Sequence, residues 1–225
     1  MTNQQTVLGP GGGPTVLALH GLPDVDVGPR EQLRSIRQAL QLPTGCWRDW
    51  VWASGRMGAG RARFSLENRS FATNYASRFS QWLSGQIADD NDADDPIHII
   101  AYSLGALIIF KWLAELATPQ LTRRIKTVFC LGGPHQFDQP EQEVILERTG
   151  QLITVREDSI ATRDIVANLS SWQLVVLVAE RDLSITGAMS QFPTVLSRSV
   201  VDQHTIGGTT HLTLCDHPTD LRIDC

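Results

Sequence analysis

Ile97-His98-Ile99-Ile100-Ala101-Tyr102-Ser103-Leu104-Gly105-Ala106-Leu107-Ile108-Ile109 is the stretch on which the reading of this 225-residue chain turns. A short apolar run over 97–102 has the character of a buried strand. Helical spacing follows at once, with Leu107, Ile108, Phe110, Lys111, Trp112 and Leu116 forming a mostly apolar helix. Between them lies a Ser-x-Gly corner, with Ala101 two residues before Ser103 and Gly105 two after. A serine on so tight a strand-to-helix turn needs small neighbours at those places, and its hydroxyl then projects at the head of the helix. The helix N-terminus also favours negative charge developing beside that hydroxyl. Ser-x-Gly alone often does no more than cap a helix. The strand before it and the helix after it are what point to a nucleophile.

Outward from this stretch the same alternation repeats. Apolar, β-rich runs at 15–20, 50–54, 97–102, 126–131, 173–179 and 199–206 read as strands. Helical spacing appears at Leu33, Ile36, Arg37 and Leu40, and again at Tyr75, Phe79, Trp82, Leu83 and Ile87. Strands alternating with helices imply an α/β protein, a mostly parallel sheet of about six strands covered on both faces. The length suits one such domain, expected over 15–225 after a loose Gly/Pro-rich entry at 1–14.

Composition narrows the function. With 42% apolar and 19% charged residues the chain is of ordinary globular make-up, and a net charge of −5 gives no footprint for nucleic acid or an anionic membrane. No apolar stretch is long enough to span a bilayer, and the first residues lack the pattern of a signal peptide, so a cytoplasmic protein is expected. The cysteines Cys46, Cys130, Cys215 and Cys225 lack metal-ligand spacing, and Cys130 reads as a buried, reduced thiol. No cofactor is expected. Gly11 to Gly13 precede a strand instead of following one, which argues against a phosphate loop, and no G-x-G-x-x-G follows a strand. The run Asp89-Asp90-Asn91-Asp92-Ala93-Asp94-Asp95 starts like a calcium loop. Counted from Asp90, however, it has Asp95 at the glycine position and Ala101 at the final glutamate position, so it reads as a solvated loop. Trp47, Trp50 and Trp52 read as core more than as a ligand platform.

In the order of its motifs, from about Thr15 to about Leu214, the chain resembles the α/β-hydrolase family, in particular its small lipases and esterases. Ala in place of the commoner Gly before the serine is known among them. Leu17-Ala18-Leu19-His20-Gly21-Leu22 looks like the family's strand ending in His-Gly. By that likeness the backbone N–H groups of Leu22 and Leu104 form an oxyanion hole, in which one donor is worth ~10²–10³ in rate. His20 reads as structural. Leu131-Gly132-Gly133-Pro134-His135 resembles the lipase run Leu-Gly-Thr-Pro-His, with Gly133 in place of Thr, and implies that His135 shapes the pocket without carrying protons.

The resemblance also implies an acid and a base, in the chain order Ser, acid, His. Ala179-Glu180-Arg181-Asp182 is similar to the family's acid loop: Asp182 is the expected acid, and Glu180, nearer the strand end, is its rival. Of the late histidines, His204 reads as a strand side chain and His217 precedes Pro218. His211, in a loop before Leu212, is the expected base. Roughly forty residues, 133–172, stand where the family inserts its cap. Residues 141–148 and 162–169 there look like short charged amphipathic helices, implying a small cap at most. The implied reaction is hydrolysis of a small-molecule ester or thioester with a small to medium acyl group. Acyl transfer, thioesterase or ring-forming chemistry in biosynthesis, and a non-catalytic binding protein on the same scaffold, are the alternatives. Oligomeric state is not legible.

Overall fold

The computed structural model describes residues 14–22, 28–42, 45–88, 95–137, 142–146, 151–167, 169, 172–182, 192 and 201–216. The apolar runs become strands β1 (Thr15–Leu19), β2 (Trp47–Trp50), β3 (Ile97–Tyr102) and β4 (Ile125–Leu131). Strands β5 (Gln142–Leu146) and β6 (Gln151–Val155) follow, then β7 (Gln173–Ala179) and β8 (Val201–Ile206). The helices are α1 (Arg34–Leu40), α2 (Gly55–Glu67), α3 (Phe71–Ala88), α4 (Leu104–Glu115), α5 (Pro119–Thr122) and α6 (Thr162–Val166).

Six strands form one sheet in the order β2-β1-β3-β4-β7-β8, and every pairing in it is parallel. Side chains alternate faces along each strand, so two cores result. Leu17, Leu19, Ile97, Ile99, Ala101, Val128, Cys130, Leu174 and Val176 face the larger one, against α2, α3, α4 and α6. Val16, Ala18, Ile100, Tyr102, Phe129, Leu131, Val175 and Leu177 face the smaller, with Leu33 and Ile36 near α1 and Leu214 and Cys215 of a 3₁₀ turn. Each fully buried aliphatic side chain is worth roughly 1.5–3 kcal/mol. A one-residue slip would exchange the two faces, so register is held firmly.

The strand order reverses between β1 and β3: the chain leaves β1 for β2 on one side and returns to β3 on the other. In open α/β sheets a crevice forms at such a point, beyond the carboxyl ends of the strands. The pairs Leu19–Ala101, Ala101–Cys130, Leu131–Leu177 and Ala179–Ile206 align those ends. Residues 20–22, 103, 132–133, 180–182 and 207–211 therefore emerge along one rim.

Two expectations need correction, and one element is new. The second strand is Trp47–Trp50, not 50–54: Trp52 is buried because it stacks on His20, with ring centroids 4.7 Å apart, outside the sheet. Residues 142–146 are not helical; they pair antiparallel with 151–155, and β6 lies against α2. The helix Gly55–Glu67 is an element that the periodicity reading does not contain. The segment 162–166 is helical as expected and packs on α4. Trp50 is buried with Trp52, and Cys130 is a buried free thiol whose pKa burial pushes far up. Among the described residues no helix is long and apolar enough to cross a membrane. Gly11 to Gly13, most of the aspartate run and Cys225 lie outside the described residues.

Candidate active site

Ser103 leaves β3 with φ 54° and ψ −122° and stands as the N-cap of α4. Positive φ in a non-glycine residue is strained by about 1–3 kcal/mol and persists only where its surroundings over-determine it. They do so here. The Ser103 N–H donates to the Leu131 carbonyl at 2.8 Å, and its own carbonyl accepts from Ala106 and Leu107 at 2.9 and 3.2 Å. Ala101 is fully buried in the larger core. Gly105 lets α4 start against the end of β1: a Cβ there would stand 2.6 Å from the His20 carbonyl oxygen and 2.8 Å from that of Leu19.

The elbow brings together three residues that are far apart in sequence. Ser103 Oγ donates to His211 Nε2 at 2.8 Å, and His211 Nδ1–H donates to Asp182 Oδ2 at 2.7 Å. Asp182 follows β7, and His211 follows β8. The Asp182 side chain is 2% exposed and that of Glu180 53%. Glu180 turns away from His211 and accepts from the Gly208 N–H at 2.7 Å, anchoring the loop that carries the histidine. The Arg181 N–H donates to the Thr209 carbonyl at 2.9 Å and holds the same loop.

The loop after β1 lies over the elbow. Gln32 holds it at two points, accepting from the Gly21 N–H at 2.7 Å and donating to the Leu22 carbonyl at 2.8 Å. No sequence signal marks Gln32. Leu22 thus stands in the loop over the elbow, and Leu104 opens α4 directly after Ser103. His20 is buried, donates through Nδ1 to the Gly21 carbonyl at 2.7 Å and receives Trp52 Nε1 on its own carbonyl at 2.8 Å. Burial lowers its pKa to about 4, only partly offset by the bond to Gly21, which favours the neutral ring. His135 is likewise buried, stacks on Phe192 at 4.2 Å and is lowered by burial to about 4. At Gly133 a Cβ would lie 2.3 Å from the Ala106 Cβ, which explains why no threonine stands there. His204 is an exposed side chain of β8 beside Asp202, away from the site, and His217 lies outside the described residues. No group of three or more His, Cys, Asp or Glu among the described residues has the arrangement of a metal site.

The fold is that of the α/β-hydrolases. A lipase-esterase related protein from Clostridium acetobutylicum superposes with a TM-score of 0.60 at 14% identity, over 95% of this chain and 93% of that one. Esterase PE8 gives 0.53 at 13%, over 89% and 85%. An extracellular α/β-hydrolase from a Paenibacillus species gives 0.51 at 12%, over 91% and 95%. Within that fold, the chain belongs to the family described as "Protein of unknown function (DUF726)", whose profile matches residues 66–179, about half of its length. No curated protein sequence matches it.

Proposed function

We propose that this chain is a serine hydrolase that cleaves a carboxylic ester or thioester with a small to medium acyl group. The observation that carries the reading is the unbroken hydrogen-bonded line from Ser103 through His211 to Asp182, with the serine on a strained elbow at a helix N-terminus. The esterase-like neighbours support it at the level of fold.

The chemistry follows from proton bookkeeping. Ser103 Oγ attacks the acyl carbon while His211 Nε2 takes its proton, and Asp182 holds the imidazole with its other proton on Nδ1 and stabilises the imidazolium. The tetrahedral oxyanion accepts from the N–H groups of Leu22 and Leu104. Collapse breaks the bond to the leaving oxygen or sulfur, which departs with the proton from His211. Water then attacks the acyl-enzyme, gives its proton to His211, and the acid leaves as Ser103 regains its own. Residues 15–225 act as one domain in this reading, with 133–172 as a small cap.

The test is turnover of a graded series of p-nitrophenyl esters and acyl-thioesters by the native chain and by Ser103→Ala. Turnover by the native chain alone is expected, and its chain-length optimum sizes the acyl pocket. Activity confined to long emulsified triglycerides would contradict the substrate class. Phosphonate labelling of Ser103 without ester turnover would move the reading to acyl transfer.

A further inference from the structure

Tyr102 immediately precedes the nucleophile, and its side chain leaves β3 on the face of the smaller core. From there the phenol O–H donates to the backbone carbonyl of His211 at 2.9 Å, across 109 residues of sequence. The ring is buried and lies 5.1 Å from the imidazole, tilted by 32°. It also abuts the loop after β1, where a Cβ at Gly21 would stand 3.0 Å from Tyr102 Cδ1. One side chain therefore touches the histidine and the loop expected to bind the oxyanion, and its backbone adjoins the serine.

The topology shows why such a contact matters. Ser103 follows β3 and His211 follows β8, and β4 and β7 lie between those strands. Held through the sheet alone, the distance between serine and histidine would depend on three successive strand pairings. Tyr102 spans it directly. A displacement of about 1 Å at reacting atoms can cost ~10² in rate, so a direct brace has a catalytic consequence.

We propose that Tyr102 is a positioning residue that fixes His211 against Ser103; this rests on the serine-hydrolase reading above. Tyr102→Phe keeps the ring and deletes the donor. We expect kcat to fall about tenfold or more with KM nearly unchanged, and phosphonate labelling of Ser103 to slow by a similar factor. Labelling and turnover at the native rate overturn the proposal, even if the thermal midpoint drops, because the tyrosine would then be structural only. A native chain that neither turns over ester nor takes the label overturns the serine reading itself, and the proposal with it. A variant that fails to fold leaves a second measurement. The chain has two tyrosines, Tyr75 and Tyr102, so 3-fluorotyrosine incorporation gives two ¹⁹F resonances, assigned with Tyr75→Phe. The Tyr102 resonance is expected to move when the phosphonate occupies Ser103, and an unmoved resonance counts against the brace.

Discussion

Ser103, Asp182 and His211 form a line in which each member limits the next. The hydroxyl is a weak nucleophile without a base, and the imidazole presents the wrong tautomer without a buried acceptor on Nδ1. Substituting the acid therefore separates roles that position alone does not. Asp182→Asn is expected to lower kcat by about 10⁴, and Glu180→Gln by no more than about threefold, because Glu180 meets Gly208 and not the imidazole. Steady-state kinetics on one p-nitrophenyl ester decides it, and equal losses would mean that the acid has been misassigned. The elbow was legible in the sequence because the constraint is local: a buried strand, two small residues and an apolar helix within a dozen or so positions. The choice between the two carboxylates was not. Both follow the same strand within three residues, and only three-dimensional placement tells them apart. Gln32 acts through two hydrogen bonds and Tyr102 through one, all to backbone atoms, and no pattern of residue types announces those.

At the scale of elements, the strands with alternating buried partners on both faces were readable, whereas those shaped by particular contacts were not. Trp52 imitates a strand residue by its apolarity, yet it is buried by a histidine. The charges among residues 141–148 imitate an exposed helix, while the β-branched Ile153-Thr154-Val155 partner offered the competing signal. The glycines of α2 blur its period, and glycine costs about 1 kcal/mol in a helix interior, so neighbours must hold that helix in place. One of the contacts in this region is testable. Glu157, buried, accepts from the Ala72 N–H at 3.1 Å and so caps α3 while tying the 133–172 segment to it. Burial raises its pKa above 4.5 against the opposing effect of its backbone hydrogen bonds. A carboxyl raised on folding binds its proton more tightly in the native state, so it stabilises at low pH and that stability is lost as pH rises through the raised value. The native chain should therefore lose stability relative to Glu157→Gln as pH rises above 4.5. Urea midpoints of both proteins across that range check this, and a constant difference would show that the carboxyl does not titrate on folding.

Taken whole, the molecule gathers one rim of groups from segments running from His20 to His211. The strand that delivers His211 is also an edge: β8 pairs with β7, and no described strand lies on its other side. Edge elements open locally at less cost than the global unfolding free energy. The proposed activity is thus coupled to an edge pairing, while the serine follows an inner strand between β1 and β4. On heating, ester turnover should fade several degrees below the midpoint seen by far-ultraviolet circular dichroism, and amides of 201–206 should exchange before those of 97–102. Coincident transitions would show that β8 melts only with the rest. If the gap is present, cooling before the core melts should restore activity fully, and heat would act on this protein first as a reversible switch and only later as a denaturant.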